Sequence, residues 1–428
     1  MRNLENNSTI FAFSSGSVPS GVGIIRISGP QSVNCVKILT GSVPSKPRFL
    51  QLKNFINPKT KQYIDRGLVA WFNKPHSFTG EDIIELYTHG SMAIIDLLYE
   101  ILSNIDDVRI AEPGEFTKRA FYNKKLNLDQ VEGLVDVINA ETKIQLDYAN
   151  KLLFGSLGEL TENLRDKMIG LLSKVEATLE FEDDGVVSES NKTLNIKIDD
   201  IQKNIDEILT NYKNSRIIRD GFVISIVGPV NVGKSSIINA LSNTESSITT
   251  DIPGTTRDIV EVKMNLFGYP VVIRDTAGLR QTSDFVENLG VERALKSIKE
   301  SDLIISVTDN LNSMPTNLNL NKLVGNKPII KVQNKSDLIK EFYDTDLLYI
   351  SAKTHYALDK LLEKIKGHLE GNFNLKNNKI TLIPRKRHYE IFLDVSNALI
   401  RFKNQSELEL KSEELRTGIR SLGKITGR

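Results

Sequence analysis

The chain has 428 residues, of which 40% are hydrophobic and 25% are charged, and its formal net charge is +1 at pH 7. This composition predicts two to four folded domains and excludes nonspecific binding of nucleic acid through a strongly basic overall field, so any RNA contact must be local. The lone Cys35 excludes a disulfide framework and is expected to be a buried structural thiol, while the lack of a signal segment or a run of about 20 apolar residues predicts a cytoplasmic protein without a membrane span.

The first 118 residues have the pattern of an α+β domain. Short apolar runs separated by turns predict strands, and two longer segments have helical spacing. The predicted strands are Thr9–Phe13 and residues 23–28, 67–72 and 82–88, and the predicted helices lie near residues 31–39 and 91–103.

From about residue 115 to about residue 214 the pattern becomes helical. Apolar residues recur there at steps of three and four, which predicts an amphipathic helix. The stripe consists of Leu160, Leu164, Met168, Leu171, Val175 and Leu179. Its simplest interpretation is the core of a helix bundle.

A phosphate-binding motif begins at the midpoint of the chain. The segment Gly228-Pro-Val-Asn-Val-Gly-Lys-Ser235 follows an apolar run at 222–227 and precedes another at 237–241. A strand, a glycine-rich loop and a helix in this order form a P-loop, whose backbone N–H groups cradle phosphates. Lys234 is expected to reach the β- and γ-phosphate oxygens, and Ser235 is expected to ligate Mg²⁺.

Four further motifs follow in the order typical of guanine-nucleotide binding: Thr255-Thr-Arg-Asp258, Asp275-Thr-Ala-Gly278, Asn334-Lys-Ser-Asp337 and Ser351-Ala-Lys353. Asp275 can hold a Mg²⁺-bound water, and Thr256 can complete the Mg²⁺ shell. Asp337 can accept two hydrogen bonds from guanine that adenine does not offer in that pattern, and the backbone of 351–353 can meet guanine O6. The predicted GTP-binding residues are Asn231, Val232, Gly233, Lys234, Ser235, Ser236, Thr250, Asp251, Ile252, Thr255, Thr256, Asp275, Thr276, Ala277, Gly278, Asn334, Lys335, Asp337, Ser351, Ala352 and Lys353.

The residue that follows Gly278 is Leu279, so the glutamine that orients water in Ras-type enzymes is absent. The groups that position water and stabilise charge must therefore lie elsewhere. Two candidates are Asn231 in the P-loop and Glu287 in the acidic segment 284–288. Together with Lys234 they form the predicted catalytic set.

Residues 221 to about 370 alternate strands and helices, as a P-loop α/β domain does, and helical patterns flank them on both sides. The sequence therefore predicts a multidomain α/β and α+β protein. A G domain of residues 221–370 is inserted into a helical domain of residues 119–220 and 371–428, and the α+β domain of residues 1–118 precedes both.

Over essentially its whole length the chain resembles the tRNA-modification GTPases of the MnmE (TrmE) family. Besides the nucleotide motifs, the resemblance is carried by residues 21–29, 77–86 with His89 and Gly90, 112–121, 123–130, 275–280 with Glu287, 413–416 and 425–427. It implies an N-terminal domain that forms a homodimer and binds a tetrahydrofolate derivative. It also implies an FAD-dependent partner of the MnmG (GidA) family, with which such proteins place an aminomethyl or carboxymethylaminomethyl group on C5 of the wobble uridine in certain tRNAs.

The resemblance also assigns residues by position. Arg26, Glu85 and Lys125 match the folate site; Asn231, Thr250, Ile252 and Thr255 match the ligands of a K⁺ ion; Glu287 matches the residue that orients water. A carboxylate such as Glu85 can pair with the amide edge of a pterin, and the glutamate tail of a folate suits Arg26 or Lys125. Without the resemblance, the favoured interpretation of Arg26 and Glu85 is that they are strand residues facing solvent. Lys125 would then belong to a solvated basic pair, and Asn231 would be a turn residue.

The chain differs from the family at its end, where a short Cys-x-Gly-Lys tail is expected and residues 427–428 are Gly-Arg. We expect Leu415, Ile419 and Leu422 to leave apolar surface that a further helix covers, and we expect tRNA modification to be poor. Two other functions stay open. One is a GTP-dependent switch in ribosome assembly, which predicts an RNA-binding appendage, and the other is a folate-binding scaffold whose G domain only binds nucleotide.

Overall fold

The computed structural model describes residues 8–180, 191–229, 231–244, 260–275, 297–309, 325, 327–339, 346–372, 383 and 385–427. The chain divides into two compact units, Met1–Val131 and Glu132–Arg428. Within the described part of the chain, no helix is both long enough and apolar enough to span a bilayer.

The first unit is built on a six-stranded sheet of order β3-β4-β5-β2-β1-β6. Neighbouring strands are antiparallel except for the parallel pair β1 and β6. The strands are β1 (Thr9–Phe13), β2 (Ser20–Ser28), β3 (Gln51–Ile56), β4 (Tyr63–Phe72), β5 (Ile83–Gly90) and β6 (Val108–Ile110). The four predicted strands are confirmed with small changes of bounds, and β3 and β6 were not predicted.

Helices α1 (Ser32–Thr40) and α2 (Met92–Ser103), both predicted, share one hydrophobic core with this sheet. Alternation along a strand sends every second side chain to the same face. Ile25 and Ile27 of β2 therefore join Ile84 and Leu86 of β5 in that core. Arg26 and Glu85 belong to the opposite face, near the short helix α3 (Glu115–Tyr122). Cys35 is a free, buried thiol in the core, as predicted, and burial raises its pKa to about 12.

The second unit combines helices with a second sheet. Its first helices are α4 (Leu128–Ile138), which begins in the first unit, α5 (Lys143–Leu153), α6 (Ser156–Glu180), α7 (Asn191–Thr210) and α8 (Tyr212–Asp220). The predicted apolar stripe lies on α6, with Leu164, Met168, Leu171 and Val175 buried and the two end residues partly buried. The prediction of a bundle core is confirmed.

The second sheet has the order β12-β11-β10-β7-β9-β8 and is parallel except for β8, which runs antiparallel to β9. Its strands are β7 (Phe222–Val227), β8 (Val260–Leu266), β9 (Tyr269–Asp275), β10 (Leu303–Thr308), β11 (Ile329–Gln333) and β12 (Leu348–Tyr349), with helices α9 (Lys234–Thr244) and α10 (Leu358–Asn372). Because parallel strands end at the same edge, the segments that follow β7, β9, β10 and β11 come together there.

Two long helices return to the bundle, α11 (Lys386–Asn404) and α12 (Leu408–Thr426). Leu415 and Leu422 of α12 are fully buried, and Ile419 packs against the same core. The expectation that these residues leave apolar surface for a further helix is wrong, because α12 turns this face onto α6 and α11. At Gly418 a Cβ atom would lie 2.5 Å from the Met168 Cε atom, so glycine permits the close approach of α12 to α6.

Candidate functional site

The loop between β7 and α9 has the close-packed backbone that a phosphate-binding loop requires. Asn231 and Gly233 have positive φ angles of 63° and 90°. At Gly228 a Cβ atom would lie 2.2 Å from the Val307 carbonyl oxygen, and at Gly233 a Cβ atom would lie 2.4 Å from the Asn334 amide nitrogen. Any larger residue at either position would therefore displace the loop from β10 or from the segment after β11.

Lys234 occupies the inside of this loop. Its side chain is 4% exposed, and its ammonium donates to the carbonyl oxygens of Gly228 at 2.7 Å and Pro229 at 2.6 Å. Burial lowers the pKa of Lys234, and the nearby Asp275 carboxylate opposes that shift. The P-loop therefore holds the Lys234 ammonium against its own main-chain carbonyls, at the place where a phosphate is expected to bind.

A hydroxyl and a carboxylate meet beside the P-loop. Parallel pairing of β7 with β9 sets Ile226 opposite Asp275, which is 5% exposed. The Ser235 hydroxyl, one residue into α9, donates to the Asp275 carboxylate at 2.9 Å. Hydroxyl and carboxylate oxygens are hard ligands that suit Mg²⁺, so this pair fits the predicted metal. The described residues contain no group of three or more His, Cys, Asp or Glu side chains arranged to hold a metal ion.

Asn334 connects the P-loop to the segment after β12. Its amide nitrogen donates to the Val232 carbonyl at 2.8 Å, and its amide oxygen accepts from the Ala352 N–H at 3.1 Å. The Asn334 N–H also donates to the Thr308 carbonyl, and the residue is only 3% exposed. Asn334 thus holds three predicted nucleotide segments together from the inside.

Two polar residues close to Asn334 in the sequence, Lys335 and Asp337, reach the surface. Asp337 is exposed and accepts a hydrogen bond from the Ser351 hydroxyl at 2.6 Å, which lowers its pKa. Lys335 has a positive φ of 59°, and its ammonium lies 2.7 Å from the Asp309 carboxylate. The structure therefore places an oriented carboxylate and a paired lysine at the edge of the sheet, next to the P-loop.

A second polar cluster lies on the outer face of the first sheet. Antiparallel pairing places Arg26 of β2 opposite Glu85 of β5. The Arg26 Nε and Nη2 atoms lie 2.9 Å and 2.8 Å from Glu85 Oε1, and the Tyr87 hydroxyl donates to Oε2 at 2.7 Å. Burial and the hydrogen bond to Glu85 raise the pKa of Tyr87 to about 12. Glu85 is 9% exposed, so its interpretation as a solvent-facing strand residue is wrong.

Glu85 forms part of the wall of a cavity of about 410 Å³. The lining residues are Arg48, Phe72, His76, Ser77, Phe78, Ile83, Glu85 and Lys125. Two of the three predicted folate residues, Glu85 and Lys125, therefore line the cavity. The third, Arg26, contacts the cavity wall through its ion pair with Glu85. Sequence reasoning missed Arg48 and Tyr87. The alternation of β5 could have placed Tyr87 on the face of Glu85, whereas the sequence carries no comparable signal for Arg48.

Comparison with known proteins decides the family. The family described as "GTP-binding protein TrmE N-terminus" matches residues 9–125, and the family described as "MnmE helical domain" matches residues 128–428. The chain belongs to the MnmE family. Among the curated MnmE proteins, the tRNA modification GTPase MnmE of Rickettsia typhi is 36% identical over 427 residues, which cover 98% of this chain and 95% of that protein. The MnmE of Pelagibacter ubique is 38% identical, with coverages of 98% and 96%. The resemblance predicted from the motifs is confirmed.

Part of the predicted MnmE-family site lies outside the described residues. This part consists of Thr250, Asp251, Ile252, Thr255, Thr256, Thr276, Ala277, Gly278 and Glu287. Of the predicted K⁺ ligands, Asn231 alone is described, and it is exposed on the P-loop. The other predicted GTP residues lie around one edge of the second sheet, and the three folate residues lie around one face of the first.

Proposed function

We propose that this MnmE-family GTPase couples GTP hydrolysis to the addition of a carboxymethylaminomethyl or aminomethyl group at C5 of the wobble uridine of certain tRNAs. In this proposal it acts in the cytoplasm as a homodimer, with an FAD-dependent partner of the MnmG family and a folate that donates one carbon. The observation that supports it most is the occurrence of guanine-nucleotide motifs and a cavity lined by Glu85 and Lys125 in one chain that aligns over 98% of its length with tRNA modification GTPases.

The nucleotide half of the proposal rests on the P-loop. Phosphate oxygens would replace the Gly228 and Pro229 carbonyls as partners of the Lys234 ammonium. Ser235 and Asp275 would hold Mg²⁺, directly and through water, and the ion would neutralise charge on the phosphates. Asp337, kept ionised and oriented by Ser351, would accept the paired donors of guanine.

Hydrolysis needs a positive charge and an oriented water. Asn231 lies exposed on the P-loop, where its amide oxygen could join the carbonyls of the 249–255 loop as a K⁺ ligand. K⁺ bound there would supply the charge that an arginine finger supplies in other GTPases. Glu287 is the proposed water-orienting residue, because Leu279 stands where Ras-type enzymes have glutamine.

The folate half of the proposal rests on the first sheet. A pterin presents neighbouring N–H donors, and Glu85 is a buried carboxylate already held by Arg26 and Tyr87. A buried acceptor of fixed orientation discriminates strongly against ligands that lack the matching donors. Phe72, Phe78 and Ile83 provide apolar walls for an aromatic ligand. The residues present therefore fit a folate.

Reconstitution tests the proposal. The purified chain, an FAD-dependent partner, unmodified tRNA, GTP and a tetrahydrofolate donor should together yield tRNA modified at the wobble uridine, as measured by nucleoside mass spectrometry. Omission of GTP, or a Lys234→Ala variant, should abolish the product. GTP turnover without any change in the tRNA, together with ribosomal precursors that accumulate in cells lacking the chain, would favour the ribosome-assembly function. The absence of steady-state GTP turnover would favour the folate-binding scaffold.

A further inference from the structure

The cavity on the first sheet has two cationic side chains at the loop that joins β4 to β5. The Lys125 ammonium donates to the Pro75 carbonyl at 3.0 Å, and the Arg48 guanidinium donates to the carbonyl of the next residue, His76. The two cationic side chains therefore hydrogen-bond to adjacent residues of one loop, and both line the same cavity.

We infer that Arg48 and Lys125 form an anion-binding end of this cavity, which binds the carboxylates of a glutamate tail and favours folates with more than one glutamate. The inference rests on the proposed folate function and assigns one end of the ligand to specific residues. Arg48 is the new member of the site, since neither the motifs nor the family resemblance assigns it.

The charges around the cavity support this assignment. Glu85 is the one carboxylate among the residues that line it, and Arg26 already neutralises Glu85. Arg26 also lies 5.7 Å from the centre of the Phe78 ring and 5.8 Å from that of the Phe116 ring, which fixes it at the Glu85 end. In the described part of the chain the hydrogen bonds of Arg48 and Lys125 go to main-chain oxygens, so their positive charges remain uncompensated. A cavity with two such charges favours a dianion.

Arg48 has an unfavourable backbone conformation that a hydrogen bond to β4 holds in place. Its φ angle is 63°, which residues other than glycine adopt at a cost, and its N–H donates to the Trp71 carbonyl at 2.7 Å. The residue thus lies against the end of β4, next to Phe72 in the cavity wall. The position of Arg48 in the cavity wall is therefore fixed by its anchored main chain, which is consistent with a binding role.

Lys125 is anchored as well. The Asn123 side chain donates to the Thr79 carbonyl at 2.7 Å, which ties the segment before Lys125 to the loop between β4 and β5. At Gly80, where φ is 81°, a Cβ atom would lie 3.2 Å from the Asn123 Cβ and 3.4 Å from the Lys125 Cδ. Lys125 therefore reaches the cavity from a packed segment, and little ordering of this segment is left for the ligand to induce.

The test compares three ligands that share one ring system: tetrahydropteroate, which has no glutamate, tetrahydrofolate with one glutamate, and tetrahydrofolate with three. Their dissociation constants are measured by calorimetry on the full-length chain, its Arg48→Gln and Lys125→Gln variants, and a control variant, Arg66→Gln. Arg66 is an exposed arginine of β4 that does not line the cavity, so this control removes one positive charge from the same unit of the chain but not from the cavity. Thermal unfolding of each variant verifies that it is folded.

The wild type is expected to bind in the order three glutamates, one glutamate, none. Arg48→Gln should weaken both glutamylated ligands roughly 10-fold, the order of one charge-assisted hydrogen bond, and change tetrahydropteroate binding less than about 2-fold. Lys125→Gln should act in the same way, and Arg66→Gln should preserve the wild-type order. Arg48→Lys, which keeps the charge, should recover part of the loss.

Equal affinity of the wild type for all three ligands would overturn the inference and leave the folate proposal intact. So would an Arg48→Gln variant that weakens all three ligands equally, since that result indicates a structural role. Loss of the tail effect in Arg66→Gln would show that overall charge, and not this cavity, attracts the tail. Failure of the wild type to bind any of the three would refute the folate proposal, and the inference with it.

Discussion

Replacement of Asn334 by alanine should uncouple the P-loop from the guanine-binding segment. The change removes the donor to the Val232 carbonyl and the acceptor of the Ala352 N–H, and Val232 is fully buried. A buried polar group that is left unsatisfied costs about 1–3 kcal/mol. With two groups affected, the nucleotide-ready arrangement should lose at least about 2 kcal/mol, which corresponds to roughly a 30-fold higher Kd for GTP and GDP.

The assay is titration of a fluorescent guanine nucleotide in Mg²⁺ buffer, with unfolding of the nucleotide-free protein followed in parallel. Asn239→Ala is a suitable control, because Asn239 is exposed on α9 in the same sheet domain and its removal leaves no buried group unpaired. An Asn334→Ala variant that binds GTP within about twofold of wild type would refute the reasoning. So would an equal loss of affinity in the Asn239→Ala control.

Three further outcomes are expected. If Asn231 and the 249–255 loop bind K⁺, GTP hydrolysis should be much faster in K⁺ than in Na⁺ at equal ionic strength, and Asn231→Lys should remove this difference. Equal rates of hydrolysis in the two salts would exclude the K⁺ site. Glu287→Ala should keep GTP binding nearly intact and lower turnover by about 10²–10⁴-fold, and undiminished turnover would make Glu287 an ordinary surface carboxylate. Burial of Glu115 is outweighed by hydrogen bonds from Arg109, Arg119 and the Glu112 N–H, which lower its pKa from 4.5 to about 2. A carboxylate with a depressed pKa stabilises the fold most above pH 4.5. The loss of unfolding free energy in Glu115→Gln should therefore be largest at pH 7 and should shrink as the pH falls towards 2. A loss that does not depend on pH would contradict the ion-pair account.

The nucleotide site could be predicted from the sequence because its parts are local. Each motif in the described part of the site directly follows an apolar run, and the parallel sheet brings the ends of β7, β9 and β11 to one edge. Spacing along the chain therefore contained nearly all the information about the described part of this site. The task of Asn334 was the exception, since its partners Val232 and Ala352 lie 102 and 18 residues away.

The cavity of the first sheet could not be predicted in the same way. Arg26 and Glu85 are 59 residues apart, and only the register of β2 against β5 makes them a pair. Arg48 reaches the cavity from the segment that precedes β3. That strand lies at the edge of the sheet, and two of its apolar side chains, Leu52 and Ile56, are exposed. The apolar pattern of β3 is therefore weak, and the sequence did not indicate a strand beside Arg48. The long-range pairing, and not the local pattern, decides which side chains meet.

The same limit explains the error at the end of the chain. The spacing of Leu415, Ile419 and Leu422 correctly indicates one apolar helix face, but spacing cannot show what covers it. In the structure α6 and α11 cover it, and Gly418 lets α12 approach Met168 closely. A sequence pattern thus gives the face of a helix, and only the fold gives its neighbour.

The most direct test of the central claim is nucleoside mass spectrometry of tRNA from cells that lack this chain. We expect the carboxymethylaminomethyl or aminomethyl wobble uridine to disappear, to return when the wild-type chain is supplied, and to remain absent when Lys234→Ala is supplied. Wobble uridines that keep their modification in the deleted cells, or that are restored equally by Lys234→Ala, would contradict a GTPase cycle that drives the modification.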